Sequence, residues 1–277
     1  MKQITNLTEL NRIASKMRAN IIETSSRTGT PHLASCLSSV DLLTALYFSV
    51  LRIDPGNPRD VGRDRFIMSK GHGAMALFHA LAQRGFYSED MLHTYGEDGG
   101  VLAEHPPSPV HLAGIEAATG SLGHGLPIGL GMALAARIQK RGYNVYAILG
   151  DGECNEGSIW ECAMLAAAQK VNNLCAIVDF NKWQATGRSQ EIMALDSLVD
   201  KWRAFGWDTC EIDGHDMEAI LSALSKFPSA TKKPTAIIAH TVKGKGVSFM
   251  ENDNNWHYRI PTTEEVVKSK IELEVLL

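Results

Sequence analysis

No stretch of this chain is long and apolar enough to span a membrane, and its first twenty residues lack the charged start and apolar run of a secretion signal. They carry instead an amphipathic spacing at Leu7, Leu10, Ile13, Met17 and Ile21, the pattern of a surface helix. A cytoplasmic protein with no membrane contact is the expectation. Cysteine is scarce: 5 in 277 residues, with no C-x-x-C pair among Cys36, Cys154, Cys162, Cys175 and Cys210. Neither a disulfide framework nor a zinc site is supported, and most of these thiols are expected in the core. No basic run exceeds Lys232-Lys233 and the net charge is −4, so no nucleic-acid groove is expected. Repeats and linkers rich in Pro, Gly and Ser are missing too. A P-loop is excluded because no Gly-x-x-x-x-Gly-Lys-Ser/Thr occurs, and Gly129-Leu-Gly131 lacks the third glycine of a dinucleotide fingerprint.

What remains is ordinary globular composition, 44% hydrophobic and 21% charged, in a length that suits one α/β domain over residues 1–277. Apolar spacing predicts helices over 5–24, with Asn6 or Thr8 as cap, and over 39–52, opened by Ser38-Ser39. A short strand is expected at 65–69, then a helix from Gly71-His72-Gly73 to about Gln83, then a loop over 97–112. The second half alternates helices (123–140, 157–170, 196–205, 216–226) with short strands at 144–149, 174–179, 207–212 and 235–240. A Thr262-Thr-Glu-Glu265 capping box opens a last helix. Apolar strands alternating with helices imply a parallel sheet covered by helices on both faces. Ligands of such sheets sit at the carboxyl ends of the strands, here the loops after Leu149, Asp179 and His240.

One of those loops carries a chemical pattern. The strand ending at Leu149 runs into Gly150-Asp151-Gly152-Glu153-Cys154-Asn155-Glu156-Gly157 and a helix, and thirty residues after Asp151 comes Asn181, just past the next strand. Small glycines let backbone approach a ligand, a helix N-terminus offers free N–H groups, and Asp151 and Asn181 supply one charged and one neutral oxygen. A hard cation carrying phosphate oxygens and water needs about this much protein. The residues therefore point to a Mg²⁺-diphosphate site. A bare Gly-Asp-Gly is more often a capped turn; the strand before, the helix after and the second strand ending at Asn181 separate this case from that one.

The stretch 150–187 resembles the thiamine diphosphate motif, and the whole chain resembles transketolase nearly end to end. Pro31-His32-Leu33, Asp64-Arg65-Phe66 with Ser69-Lys70-Gly71-His72-Gly73, Glu104-His105-Pro106 and Trp256-His257 are similar to that family's histidine segments. Gly120-Ser121-Leu122-Gly123 is similar to its Gly-Pro-Leu-Gly loop. Asp213-Gly214-His215-Asp216 and Thr241-Val-Lys243-Gly-Lys-Gly246 fit as well. Pro31 before His32, Phe180, Lys182-Trp183 and Tyr258 depart from the common pattern, the first and last on the substrate side.

The resemblance implies a thiamine diphosphate-binding fold in which Asp151, Asn181 and the backbone carbonyl of Trp183 bind Mg²⁺. It places Gly120, Ser121, Leu122, Gly150, Asp151, Gly152, Glu156, Asn181 and Lys243 at the cofactor. His32, His72, His105 and His257 become the catalytic candidates on the substrate side. His124 is a weaker candidate, and Glu156 reads equally as a first-turn helix carboxylate. His79, His93 and His111 read as structural or surface. The implied reaction moves a two-carbon ketol unit from a ketose, expected to be phosphorylated, to an aldose. All strands are used by this one domain, so a C-terminal, pyrimidine-binding subunit is the expected partner, in an α2β2 assembly. A matching apolar patch is expected around 120–135 and 157–168. The alternatives are another thiamine diphosphate enzyme, of the deoxyxylulose synthase or 2-oxo acid dehydrogenase kind, and a non-catalytic scaffold. The histidine set argues against the dehydrogenase, and the intact Asp151 and Asn181 argue against the scaffold.

Overall fold

The computed structural model describes residues 3–275. Helix α1 spans Leu7–Thr28; the Asn6 side chain caps it by accepting from the Glu9 N–H, and Gly29 ends it in the left-handed conformation at φ 66°. A separate short helix not expected from the sequence, α2 (Leu33–Ser38), comes next, and the helix expected over 39–52 is observed as α3 (Val40–Ala45) running into a π-turn over Leu46–Val50. Ser39 accounts for the break between α2 and α3: its hydroxyl donates to the Cys36 carbonyl at 3.0 Å, competing with the regular ladder. Strand β1 is Arg65–Met68 and α4 is Ala74–Arg84. After a 3-10 turn over Glu89–Thr94 and a long loop come α5 (Gly125–Ile138), β2 (Val145–Gly150), α6 (Gly157–Ala168) and β3 (Leu174–Phe180). The chain continues through α7 (Ser189–Met193), α8 (Leu198–Ala204), β4 (Asp208–Asp213), α9 (Met217–Ser225) and β5 (Thr235–His240). The last helix, α10 (Thr263–Glu272), carries the capping box expected at Thr262 and Glu265.

The five strands form one sheet in the order β1-β2-β3-β5-β4, with every neighbouring pair parallel. The α/β class read from the alternation is therefore the observed one. Successive strand residues point to opposite faces, and each face has its own core. Ile148, Ile177 and Ile237 pack with Leu10, Ile21, Leu37 and Phe78 on one side. Leu149, Val178 and Ile238 pack with Leu126, Ile159, Trp202 and Trp207 on the other. Each such fully buried aliphatic contributes about 1.5–3 kcal/mol. β4 departs from the expectation of wholly apolar strands: it lies at the sheet's edge and is only half-buried. Register aligns Gly150 with Asp179, and Phe180 and Asp213 with His240, so the carboxyl ends of four strands open along one edge. No helix among the described residues is long and apolar enough to cross a membrane.

Candidate active site

The loops leaving that edge enclose a cavity of about 410 Å³. β2 delivers Gly150 and Asp151, β3 delivers Asn181 and Trp183, β1 delivers Lys70 and His72, and the α1–α2 connection delivers His32. Residues far apart in the sequence thus converge because a parallel sheet puts every strand's exit at one end.

Asp151 is 1% exposed and accepts a hydrogen bond from Ser189 Oγ at 2.7 Å on Oδ2. Burial raises its pKa to about 6, the Ser189 bond pulls the other way, and the neighbouring Asp179 raises it further. A carboxylate so destabilised in its charged form, facing a cavity, suits a cation. Asn181 is 3% exposed; its Oδ1 accepts from the Trp183 N–H at 3.1 Å, and its Nδ2 donates to Ser38 Oγ at 3.4 Å. Trp183 and Arg188 form an antiparallel bridge in a small hairpin, and the Arg188 guanidinium stacks 3.8 Å above the Trp183 ring. One acid, one amide and the hairpin backbone make a hard-oxygen set of the kind Mg²⁺ accepts together with phosphate and water.

The glycines of the motif divide their work. A Cβ on Gly152 would come 2.9 Å from Gln184 Cγ, so a side chain there would push the Gln184 side chain aside from the cavity wall. A Cβ on Gly150 would meet nothing closer than 3.9 Å, yet Gly150 lines the cavity, so its smallness leaves room for what enters there. The α-helix does not follow Gly-Asp-Gly directly: a 3-10 turn over Gly152–Asn155 intervenes and α6 starts at Gly157. The cause is Glu153, a buried carboxylate that accepts from Ser69 Oγ, from Gly123 N at 2.9 Å and from Gly150 N at 3.2 Å. It ties three loops of the cavity together.

On the other side three imidazoles pack against one another. The His32 ring lies 4.9 Å from His257 and 5.5 Å from His72 between centroids. His32 sits in the left-handed region at φ 67°, a strained conformation for a residue with a side chain, and its N–H donates to the His257 carbonyl at 2.8 Å. Burial, then the charges of His105, Lys243 and Lys70, hold the His32 pKa down at about 4. Burial, then Lys243 and His32, hold His257 at about 3, and His72 lies well below its ordinary value for the same kind of reason. These rings are neutral near pH 7. Lys243 Nζ donates to Asn254 Oδ1 at 2.7 Å and lies 3.0 Å from His257 Nδ1. A charged lysine offers only protons, so His257 Nδ1 accepts and its Nε2 carries the hydrogen.

The cavity brings together His32, His72, His105 and His257 with Gly120, Leu122, Gly150, Asp151, Gly152, Glu156, Asn181 and Trp183. It does not bring in Ser121 or His124, which are exposed beside it; the His124 ring turns back to the Leu122 carbonyl at 3.0 Å. Lys243 stands behind His257 rather than on the wall. Glu156 occupies the N-cap of α6 without a side-chain capping bond. Sequence reasoning missed Lys70, which lines the cavity while 1% exposed and donates to Asp179 Oδ2 at 2.6 Å and to the Ser35 carbonyl at 2.7 Å. The signal was present in Asp179, a charged residue near the end of the otherwise apolar β3, since a buried carboxylate needs a buried cation.

A cofactor cradle of this form, on a parallel sheet with Gly-Asp-Gly and a distant Asn at adjacent strand exits, defines the chain as the diphosphate-gripping domain of a thiamine diphosphate protein. The profile of the family described as "Transketolase, thiamine diphosphate binding domain" matches residues 10–275, and the chain belongs to that family. It is 44% identical to an apulose-4-phosphate transketolase subunit of Phocaeicola vulgatus over 90% of this chain and 88% of that protein. It is 42% identical to the 6-deoxy-6-sulfo-D-fructose transketolase subunit of a Clostridium species over 96% of each. The fold superposes on the crystal structure of Campylobacter jejuni transketolase with a TM-score of 0.90 at 28% identity, covering 98% of this chain. It spans only 43% of that transketolase chain, whereas it matches nearly the full length of the relatives that are named as subunits.

Proposed function

We propose that this chain is the diphosphate- and Mg²⁺-binding subunit of a transketolase that moves a two-carbon ketol unit from a ketose to an aldose. The single observation that carries the reading is the convergence of Asp151 and Asn181 with four histidines on one cavity. Asp151, Asn181 and the Trp183 carbonyl would hold the metal; Gly120, Leu122, Gly150 and Gly152 would line the cofactor, and Lys243 with Lys70 would supply positive charge beside its diphosphate. When bound, thiamine diphosphate supplies the nucleophilic carbon and the electron sink for cleaving and forming the bond beside a ketose carbonyl.

The histidines then divide the remaining work. His257, with Nδ1 accepting from Lys243, presents an Nε2–H donor. His32 lines the cavity half-buried, with its Nδ1 turned inward and only the rest of its ring facing what enters. Neutral imidazoles can both give and take protons, which is what shuttling at sugar hydroxyls and a carbonyl oxygen requires. His72 and His105 complete the wall. Strain at His32 fits a ring held in place for function rather than for fold.

The partner would be a C-terminal, pyrimidine-binding subunit in an α2β2 assembly. Two features support it: the relatives named as subunits match in length, and Ile128, Met164 and Leu165 leave apolar side chains exposed on α5 and α6, within the stretches that the sequence singles out for a patch. The test is ketol transfer from a ketose phosphate to an aldose phosphate, assayed with the chain alone and with the neighbouring pyrimidine-domain polypeptide. Activity only with both is expected; full turnover by the chain alone would overturn the subunit reading.

A further inference from the structure

Asp179 stands two residues before Asn181 near the end of β3, is wholly buried, and lies behind the cavity wall rather than on it. Three donors converge on its two oxygens. Lys70 Nζ and Ser38 Oγ each reach Oδ2 at 2.6 Å, and Thr241 Oγ1 donates to Oδ1. A buried ion pair of this kind rarely contributes much net stability. What it does here is set the direction of one proton.

The Ser38 hydroxyl has a single hydrogen. Its possible acceptors are the Asp179 carboxylate at 2.6 Å and the Ser35 carbonyl at 3.1 Å. The charged, shorter contact takes the proton. Toward Asn181 the hydroxyl therefore offers only lone pairs. At 3.4 Å it can receive the amide Nδ2–H but would repel the amide oxygen. The Trp183 N–H, 3.1 Å from Oδ1, enforces the same orientation from the other side.

We propose that Ser38 is a positioning residue for the cation site: polarised by the Lys70–Asp179 pair, it fixes the Asn181 amide so that Oδ1 and not Nδ2 faces the metal. The inference rests on the reading of Asp151 and Asn181 as metal ligands. A small dication cannot bind an NH₂ group, so an amide free to flip is a ligand only part of the time. Outer partners of metal ligands typically change metal affinity by about 10–100-fold when removed.

The test is a double-mutant cycle on cation affinity, not on turnover. Mg²⁺ is titrated into the full chain in the presence of thiamine diphosphate, and binding is read from tryptophan fluorescence, since Trp183 lines the cavity. Ser38→Ala is expected to weaken Mg²⁺ by about 10-fold or more, Ser38→Thr to restore most of the affinity, and Asn181→Ala to weaken it further. The decisive term is the pair: Ser38→Ala added to Asn181→Ala should cost nothing more. Additive losses, or a Ser38→Ala affinity within about twofold of wild type, would overturn the positioning role while leaving the metal site in place. An Asn181→Ala variant with wild-type affinity would overturn the metal reading and this proposal together. Should the alanine variant fail to fold, Ser38→Cys, similar in size with a weakly accepting thiol, takes its place in the cycle.

Discussion

The two sides of the cavity are built on different terms. On the diphosphate side the polar groups are already pinned: Asp151 by Ser189, Asn181 by Ser38 and the Trp183 N–H, Glu153 by Ser69, Gly123 and Gly150. On the histidine side the rings lean on one another, His32 Nδ1 has no hydrogen-bond partner, and its backbone is held in the left-handed region. The pinned side suits the ligand proposed for it, a metal diphosphate, which always has the same shape. The strained side leaves its hydrogen-bonding capacity to whatever arrives, which suits a changing series of sugar hydroxyls. Preorganisation of the first kind gives affinity; open donors and acceptors of the second kind give chemistry.

If this division is right, substitutions on the two sides separate cofactor affinity from turnover. His32→Ala and His105→Ala are each expected to lower turnover of the assembled enzyme by roughly 10²–10⁴-fold while leaving thiamine diphosphate affinity nearly unchanged. Parallel loss of cofactor binding, measured by calorimetry, would merge the two sides into one. A smaller effect is expected at His215, which tethers the loop that carries Lys243. Its Nδ1 lies 2.7 Å from Asp41 Oδ2, Asp41 is paired with Arg18, and its Nε2 accepts from the Val242 N–H at 2.8 Å, one residue before Lys243. His215→Ala leaves that N–H and part of Asp41 unsatisfied, at a cost of about 1–3 kcal/mol in urea unfolding. Lower turnover of the assembled enzyme should accompany it, because the Lys243 that holds His257 loses its tether; unfolding unchanged within experimental error would remove that role.

The smallest expected effect is in pH. His32, His79 and His257 have native pKa values pushed down, mainly by burial, to about 4, 3 and 3. Between those values and the unfolded value near 6.5, the unfolded chain binds more protons, so stability falls as pH drops through that window. Asp151, raised to about 6, works in the opposite sense over its own narrower range. The net expectation is a thermal midpoint lower by on the order of 5 °C at about pH 5 than at about pH 7.5. A midpoint that rises on acidification would mean the histidine side is not held neutral.

The two sides also differ in how far the sequence discloses them. The side proposed to hold the metal is legible because its parts are local: a strand, Gly-Asp-Gly, and Asn181 one strand later. The strands themselves are legible because short apolar runs between helices have few other uses in a globular fold. The partners behind Asn181 are not. Ser38 lies 143 residues away, Lys70 is a residue type seldom buried, and neither shows by spacing that it meets Asp179. Ser38 and Ser39 look like the opening of a helix, when the Ser39 hydroxyl bonds back into the short helix before it and Ser38 turns to Asp179. Ser121 is drawn in by its neighbours Gly120 and Leu122, yet a loop shows only some of its residues to a cavity. The 3-10 turn after Asp151 depends on Glu153 reaching loops 30 and 84 positions back, which no local pattern encodes.

The central claim is that this chain holds the metal diphosphate through the loop after β2. Calorimetric titration of thiamine diphosphate into the full chain, with Mg²⁺ and with chelator, for wild type and for Asp151→Ala, tests it directly. Removing one of few charged ligands should cost several kcal/mol, or at least about 100-fold in affinity. Binding by wild type with Mg²⁺, abolished by chelator and by Asp151→Ala with the circular dichroism spectrum intact, is the predicted result; equal affinity under all conditions would contradict the account.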